Sequence, residues 1–524
     1  MSFDYIVVGS GSAGAPLAAR LSEDPGINVL LIEAGRKERG ISVKIPAAFS
    51  KQFRTDLDWE YETEAEPHLG GRKLYHPRGK MLGGCSAQNA MMYIRGNRHD
   101  FDSWADGGAK GWSYDEVLPY FKRSESNSRG ADAYHGADGP LSIEDLRSPN
   151  PLSQRILEAM VGSGIPANHD FNGSQQEGVG FYQVTQRRGQ RWTTADGYLY
   201  PNASRSNLTI WTGAQVHRLD IVNGHVVGLR VEREGAIEIV RADREVILAA
   251  GAFGTPHLLM LSGIGPADHL REHGIEPVVD NAHVGDHLMD HPFYLVNMEV
   301  NASGTMAEAE KPIQLLKYLA LRRGLLTSNV AEVGGFIHTR NDPAPDMQFI
   351  GASSYFWDNG FASHSRPAMA IGCSLVGARS TGTVRLKSGD PQTKPAIAFN
   401  YFSHPADMKA MVSGVRRAHE IAMSSFLRDV VIKELHPGPG VVNDAKQLEE
   451  EIRRNVIHTY HPTCTARIGV ENEGVVDPEL RVYGVQGLRV ADASVFPTIT
   501  HGNTHAPTVM VGERAADLIL GRRA

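Results

Sequence analysis

The stretch FDYIVVGSGSAGAPLAARLSEDPGINVLLIEAG, residues 3–35, decides the fold of the first part of the chain. An apolar run leads through a glycine-rich turn into a helix-like segment, and a second apolar run follows. This order predicts a β-α-β unit with a tight turn between the first strand and the helix.

The turn has the spacing G-x-G-x-x-G. Gly9 permits the tight turn, Gly11 lets the backbone approach a pyrophosphate, and Gly14 allows the helix to pack closely on the strand. The helix N-terminus, with Ser12 beside it, offers unpaired N–H groups to phosphates, and Glu33 lies where ribose hydroxyls are expected. The pattern predicts dinucleotide binding but does not separate FAD from NAD. In the structural alternative, the glycines only form a turn and Glu33 is a solvated strand end.

Length and composition indicate a large protein of ordinary globular type. A chain of 524 residues predicts two packed lobes, because single cores stop growing at roughly 250–300 residues. The net charge of -7 provides no basic field for nucleic acid.

Three cysteines are too few for a disulfide framework or a closed zinc site, so we expect no metal and a cytoplasmic location. No signal-peptide pattern and no run of roughly 20 apolar residues occurs, so we expect no export and no membrane span.

Three longer motifs carry a resemblance to a known family. They are HPRGKMLGGCSAQNAMMYIRGNRHDFDSW (residues 76–104), GAFGTPHLLMLSGIGP (251–266) and GNTHAPTVMVGERAADLI (502–519). With the glycine fingerprint, they resemble the glucose-methanol-choline (GMC) oxidoreductases over nearly the whole chain, and most closely the bacterial alcohol, choline and sorbose dehydrogenases. The resemblance implies FAD and an α/β plus α+β fold, with a Rossmann-like flavin lobe and a substrate lobe built on an antiparallel sheet.

The motifs divide the chain into two discontinuous domains. We assign residues 1–145, 200–290 and 455–524 to the FAD-binding domain. The stretches between them, 146–199 and 291–454, have little nucleotide character and are assigned to the substrate-binding domain.

The first long motif contains candidate flavin contacts. Gly83 and Gly84 remove side chains where a loop lies against the flavin, and Ser86 and Asn89 can donate hydrogen bonds to the cofactor. The structural alternative for Asn89 is that it caps the next helix. Some relatives attach their flavin through a histidine in this motif. Gln88 takes that place here, which implies noncovalent FAD.

Two further cofactor contacts follow from the resemblance. Val216 lies in a strand of a hairpin around Asn223 and Gly224, a strong two-residue turn signal, and its backbone is expected beside the adenine. Asp492, at the end of a buried strand in GLRVADASVFP, is expected to accept hydrogen bonds from the cofactor, to cap the following turn, or both.

Two helix starts are predicted from capping patterns. Thr255 is expected to cap a helix whose first residue is Pro256. Pro507 is expected to begin a helix over residues 508–520, whose positive N-terminal end, at Thr508, points toward the flavin.

The candidate catalytic residues are His461, in YHPTCTARIG, and His505, in GNTHAPT; both match the family positions that face the reactive side of the flavin. Removal of a hydride from an alcohol leaves a carbonyl only if a base within hydrogen-bond reach accepts the hydroxyl proton. Imidazole, with a pKa of roughly 6.5, suits that task. We assign His461 as base and His505 as its partner, while the reverse assignment stays open. Thr459 is expected near the same space, and Tyr460 is a candidate substrate contact.

Two features of the substrate domain have open alternatives. Glu332, in SNVAEVGGFI, is either a polar contact to substrate or a buried structural carboxylate. The aromatic segment GASSYFWDNGF, residues 351–361, is either a loop over the cavity or a packed surface loop.

The sequence thus predicts FAD-dependent oxidation of a primary or secondary alcohol to an aldehyde or ketone. Hydride passes to flavin N5, and electrons then pass to dioxygen or a quinone-like acceptor. A hydroxynitrile lyase that retains FAD, and a flavoprotein without catalysis, are the alternatives. The sequence assigns no oligomeric state.

Overall fold

The computed structural model describes residues 2–522, which form two large sheets with helices and smaller ribbons around them. The α-helices are α1 (Gly14–Leu21), α2 (Ile41–Lys44), α3 (Arg98–Asp106), α4 (Tyr114–Ser124), α5 (Pro151–Gly162), α6 (Gly251–Leu261), α7 (Ala267–Glu272), α8 (Pro312–Leu321), α9 (Pro405–Ala422), α10 (Ala445–Asn455) and α11 (His505–Leu520). The strands are β1 (Ser2–Val8), β2 (Val29–Glu33), β3 (Tyr61–Glu62), β4 (Tyr75–His76), β5 (Glu125–Asn127), β6 (Leu141–Ile143), β7 (Gly178–Phe181), β8 (Gln186–Arg187), β9 (Gln190–Arg191), β10 (Leu208–Thr212), β11 (Ala214–Val222), β12 (His225–Arg233), β13 (Ala236–Leu248), β14 (Ile264–Gly265), β15 (Val279–Asp280), β16 (Pro292–Val300), β17 (Ala331–Ile337), β18 (Met347–Ala352), β19 (Ala368–Leu375), β20 (Thr383–Arg385), β21 (Ala396–Ala398), β22 (Val431–His436), β23 (Ile457–His458) and β24 (Leu488–Val490).

The first large sheet has the order β10-β2-β1-β13-β12-β11, and β24 pairs with the far end of β13. Strands β10, β2, β1, β13 and β24 run parallel. β2 is buried along its whole length, as a strand covered on both faces requires, which explains its unbroken apolar sequence. β1, α1 and β2 are the predicted β-α-β unit, which is confirmed.

The predicted hairpin is also confirmed: β11 and β12 pair antiparallel on either side of Asn223 and Gly224. Both turn residues have positive φ, 50° and 73°. A two-residue turn of this kind matches the right-handed twist of the strands and favours Asn-Gly.

The second large sheet is antiparallel throughout, in the order β22-β16-β19-β18-β17-β7, with β23 paired to β16. Helices α5 and α9 pack on it. This confirms the expected antiparallel sheet and the mixed fold class. Because β23 lies in the range 455–524, this sheet reaches into the stretch assigned to the FAD-binding domain. The domain boundaries otherwise stay a prediction.

Both predicted helix starts are wrong by several residues. α6 begins at Gly251, so Thr255 lies inside the helix, and its hydroxyl donates to Asp492 instead of capping. α11 begins at His505, which places Pro507 within the first turn. Proline is tolerated there because the first N–H groups of a helix have no partner within it.

Within residues 2–522, no helix combines the length and the apolar character needed to cross a membrane.

Candidate active site

A large cavity lies between the two sheets. Its first wall comes from the glycine-rich loop, the end of β2 and the start of β11. The opposite wall comes from β16, β17 and β18, and the segments 458–462 and 503–505 complete it. The cavity therefore joins the dinucleotide fingerprint to both candidate catalytic histidines.

The three fingerprint glycines serve different purposes. A Cβ built on Gly9 would lie 2.3 Å from the carbonyl oxygen of Ala249, and one on Gly14 would lie 1.9 Å from that of Gly9. A Cβ on Gly11 meets no atom of the described residues within 4 Å, and Gly11 lines the cavity. Gly9 and Gly14 are thus required by packing, whereas Gly11 is open toward a ligand.

Glu33 ends β2 and lines the cavity with a nearly buried side chain. Its carboxylate accepts hydrogen bonds from the backbone N–H of Ser10 (3.1 Å), the Ser10 hydroxyl (2.6 Å) and the backbone N–H of Gly35 (2.8 Å). Burial raises the pKa of Glu33. The solvated strand-end alternative is wrong, and the ribose contact stays a prediction.

Of the candidates in the first long motif, Gly84 and Asn89 line the cavity, as does Gln88. Gly83 and Ser86 lie behind them: the Ser86 hydroxyl donates to the Gly83 carbonyl at 2.6 Å and is buried. The structure therefore does not place Gly83 or Ser86 against a cofactor. The Asn89 side-chain oxygen accepts from the Met91 N–H at 3.1 Å, and residues 90–97 contain no helix for it to cap.

Val216 and Asp492 also line the cavity. The Asp492 carboxylate accepts from the N–H groups of Gly251 (2.9 Å) and Ser494 (2.8 Å) and from the Thr255 hydroxyl (2.6 Å). Asp492 thus caps the turn that follows it and also ties down the start of α6. Burial raises its pKa.

His461 lies at the cavity wall, and its two ring nitrogens have different surroundings. Nδ1 lies 2.9 Å from the Thr459 hydroxyl and 3.0 Å from Nδ1 of His291. Nε2 lies 3.3 Å from the side-chain nitrogen of Asn503, whose oxygen accepts from Gln348 at 3.2 Å. Because Asn503 donates to Nε2, the Nε2 atom holds the lone pair and the proton sits on Nδ1.

Asp290 positions this histidine and was not identified from the sequence. One carboxylate oxygen accepts from the backbone N–H groups of His461 (2.8 Å) and His291 (2.7 Å). The other lies 2.9 Å from Nε2 of His76. Asp290, His291 and His76 are all buried. Asn503 lies in the motif GNTHAPT, so the sequence could have indicated it. Asp290 lies in the run VGDHLMDHPF, which has no periodic pattern that would indicate a functional residue.

His505 lies in the first turn of α11 and faces the same cavity. Its Nδ1 lies 2.9 Å from the Ser12 hydroxyl. Its Nε2 is buried and has no hydrogen-bond partner within residues 2–522. The structure therefore links the glycine-rich loop directly to the second candidate histidine and leaves one nitrogen free for a ligand.

Burial keeps both histidines neutral. Desolvation, together with the positive charge of Arg78, lowers the pKa of His461 to about 3. Desolvation, aided by Arg191, lowers the pKa of His505 to about 4. Both rings therefore retain a lone pair at neutral pH.

The remaining candidates divide between the cavity and the surrounding core. Tyr460, with a left-handed φ of 65°, lines the cavity and donates its hydroxyl to Asn359 at 2.9 Å. Thr508 lines it as well, whereas Pro507 does not. Glu332 accepts from Ser328 (2.5 Å) and from the backbone N–H of Asn150 (2.7 Å), away from the cavity. Glu332 is the buried structural carboxylate of the two alternatives, and a substrate contact there is wrong.

The residues present fit FAD. The open side of Gly11 gives a pyrophosphate access to the N-terminus of α1. Farther along the cavity, the buried nitrogens without a hydrogen-bond partner within residues 2–522 include Nε2 of Gln88 and Nε2 of His505. A cavity that joins the glycine-rich loop to these free groups suits a ligand that carries phosphates and a polar ring system.

Comparisons with known proteins agree with this geometry. The family models for the N-terminal and C-terminal parts of GMC oxidoreductases match residues 3–293 and 378–512. An uncharacterized GMC-type oxidoreductase of Mycobacterium tuberculosis is 44% identical over 98% of this chain and 99% of its own. An oxygen-dependent choline dehydrogenase of Sinorhizobium fredii is 40% identical over 100% of this chain and 96% of its own.

Solved structures show the same fold. Pyridoxine 4-oxidase from Mesorbium loti superposes with a TM-score of 0.91 at 31% identity, over 100% of both chains. Formate oxidase of Aspergillus oryzae superposes with a TM-score of 0.93 at 29% identity, over 99% of this chain and 98% of that one. With both family models matched and relatives aligned end to end, the chain belongs to the GMC oxidoreductases, FAD-dependent enzymes that act on CH–OH groups.

Proposed function

We propose that this enzyme oxidises an uncharged, largely apolar alcohol to an aldehyde or ketone, with noncovalent FAD and His461 as the general base. The observation that carries the proposal is a neutral His461 at the wall of the cavity, with Nε2 as the acceptor nitrogen of its ring, opposite an apolar wall.

In the proposed reaction, the substrate hydroxyl displaces the Asn503 amide from His461 Nε2, and this nitrogen accepts the hydroxyl proton as the C–H bond breaks. Asn503 holds that nitrogen in its acceptor form, and Thr459 and His291 hold the proton at Nδ1. His505 Nε2 hydrogen-bonds the alcohol oxygen and fixes its direction. FAD, when bound, supplies the acceptor for the hydride at N5.

The cavity wall near His461 favours an apolar substrate. Phe293, Leu295 and Ile350 face the cavity from β16 and β18. An aromatic wall by itself would also suit an organic cation, because aromatic rings attract positive charge. Arg78, however, lines the same region and donates to the Tyr460 carbonyl. The two carboxylates that line the cavity within residues 2–522, Glu33 and Asp492, are held at the dinucleotide side, so an uncharged alcohol fits better than a quaternary ammonium.

Some of the aromatic segment 351–361 contributes to this wall. Phe356 lines the cavity and stacks on Phe49 with ring centroids 6.3 Å apart. Phe53, also at the wall, lies 5.8 Å from the Tyr460 ring. We infer that this cluster excludes water from the reacting carbon, as the loop interpretation of the segment expects.

The test is anaerobic flavin reduction with a substrate panel. Benzyl and medium-chain aliphatic alcohols should bleach the flavin band, with a ratio of reduction rate constant to Kd at least about tenfold above those of choline and sorbitol. Bleaching by choline alone would contradict the apolar assignment. If no alcohol bleaches the band and a cyanohydrin releases cyanide, the lyase alternative replaces oxidation. Acid precipitation should release the FAD, because Gln88 offers no group for covalent attachment.

Readmission of air identifies the acceptor class. Rapid return of the flavin band indicates dioxygen, and slow return with rapid reoxidation by a soluble quinone indicates a quinone-type acceptor. Two relatives are named as oxidases, and a third is described as an oxygen-dependent dehydrogenase. Those names favour dioxygen as the acceptor.

The low pKa of His461 predicts how the rate constant of flavin reduction changes as the pH falls below neutral. A histidine of ordinary pKa is half protonated near roughly pH 6.5 and loses base activity below that pH. Because burial lowers the pKa of His461 to about 3, the ring stays neutral as the pH falls through that range. The rate constant of flavin reduction at saturating alcohol should therefore be flat from about pH 8 to about pH 5. A tenfold decrease over this interval, measured by stopped-flow, would show an ordinary pKa.

A further inference from the structure

Helix α8 presents its apolar side to solvent. Leu316 is 61% exposed and Ile313 is 62% exposed, and both lie on the outward side with Leu319 and Ala320. Tyr318 is the one buried side chain of the helix. Helices at the surface of globular proteins normally turn the apolar side inward, so this orientation is reversed.

The exposed apolar patch extends beyond these positions. Leu315 and Leu321 of α8 are also exposed. The Tyr318 hydroxyl donates to the carbonyl of Lys44, which joins α8 to α2. Ile41, the first residue of α2, is 51% exposed. Contiguous patches of this kind mark interaction surfaces, because monomeric proteins rarely expose them.

Cations flank the apolar side. Lys317, Arg322 and Arg323 lie at its border or at its C-terminal end, and none forms an ion pair within residues 2–522. The two acids before the helix, Glu308 and Glu310, are already paired with Lys311 and Lys51. This surface is therefore locally cationic on a chain whose net charge is -7.

From this combination we infer that α8 docks the enzyme on an anionic phospholipid surface. An apolar helix side bordered by Lys and Arg inserts into the headgroup boundary, with its charges on the lipid phosphates. A second copy of the chain fits less well, since its acids at this surface are already paired and would leave Lys317 and Arg323 without partners.

Docking at α8 would place the cavity near the bilayer. After α8 the chain passes through the short helix Leu325–Thr327 to Asn329 and Val330, which line the cavity. A quinone-type acceptor dissolved in lipid would then lie close to the site. That consequence rests on the proposed function, whereas lipid docking itself does not.

The test is co-sedimentation of the holoenzyme with phosphatidylcholine vesicles, with and without phosphatidylglycerol. The wild type should bind the anionic vesicles, and high salt should weaken binding. Ile313→Glu with Leu316→Glu should reduce binding at least about tenfold, whereas the matched pair Ile237→Glu and Ile239→Glu, on an exposed hairpin, should not.

A second variant separates charge from apolar insertion. Lys317→Glu with Arg323→Glu should lower binding to anionic vesicles selectively, with unchanged flavin reduction by a soluble alcohol. Absence of wild-type binding to any vesicle would overturn the proposal. Equal vesicle binding by the Ile313→Glu with Leu316→Glu variant and by the Ile237→Glu with Ile239→Glu control would also overturn it. A wild-type dimer that Ile313→Glu with Leu316→Glu converts to a monomer, without vesicle binding, would show that a second copy covers α8.

Discussion

Replacement of His461 by alanine should leave yellow, FAD-loaded protein that is reduced by alcohol about 10²-fold or more slowly than the wild type. The substitution removes the lone pair at Nε2 that Asn503 holds in place. Because the proton of the hydroxyl then loses its proposed acceptor, hydride transfer would leave a protonated carbonyl. Stopped-flow reduction under anaerobic conditions measures the effect directly.

A matched control is His68→Ala, since His68 is exposed and lies outside the cavity. Its reduction rate should equal that of the wild type. His505→Ala tests the assignment within the pair: a smaller loss than in His461→Ala, mainly as a higher KM, supports its orienting role. If His505→Ala causes the larger loss in the reduction rate constant, the two roles are exchanged. Normal reduction by His461→Ala would remove this residue from the mechanism.

Gly11→Val should fold and yet fail to hold FAD. No described protein atom lies within 4 Å of a Cβ at this position, so the added Cβ itself meets no protein atom in the apoprotein. The valine side chain instead occupies the path of the pyrophosphate to the N-terminus of α1. FAD affinity should fall by at least about 100-fold, while the variant unfolds at the same temperature as wild-type protein stripped of FAD.

Gly14→Ala provides the contrast, because its Cβ would lie 1.9 Å from the Gly9 carbonyl oxygen. This smaller substitution should destabilise the apoprotein itself, measured as a lower melting temperature or as insoluble protein. A Gly11→Val protein that binds FAD with wild-type affinity would show that the pyrophosphate lies elsewhere. If Gly11→Val unfolds as Gly14→Ala does, the two glycines serve the same packing role.

Much of the framework followed from local sequence. The β-α-β unit was predictable because apolar runs and a glycine turn are close together in the chain and fold through short-range contacts. The Asn223-Gly224 hairpin was predictable for the same reason, since two positive φ values restrict the residues that form it. The long motifs supplied the family and thereby the second sheet, which periodicity did not reveal.

Capping patterns predicted helix starts less well. Thr255 and Pro256 look like the beginning of a helix, yet α6 starts at Gly251 because Asp492, far away in the chain, ties its first turn. Local signals compete with tertiary hydrogen bonds at helix ends, and here the tertiary bonds decide.

The sequence by itself therefore determined the fold class and the dinucleotide-binding motif, and it named His461 and His505 as the candidate catalytic pair. Only the tertiary structure decided which nitrogen of His461 is the acceptor and which nitrogen of His505 has no partner within residues 2–522. Both depend on contacts made in the folded chain: Asn503 held by Gln348, and Ser12 against His505. The tertiary structure also decided that Gly84 faces the cavity while Ser86 does not, and that α8 turns its apolar side outward. These outcomes arise from packing between segments that are far from adjacent in the chain, and such contacts leave no pattern in the local sequence.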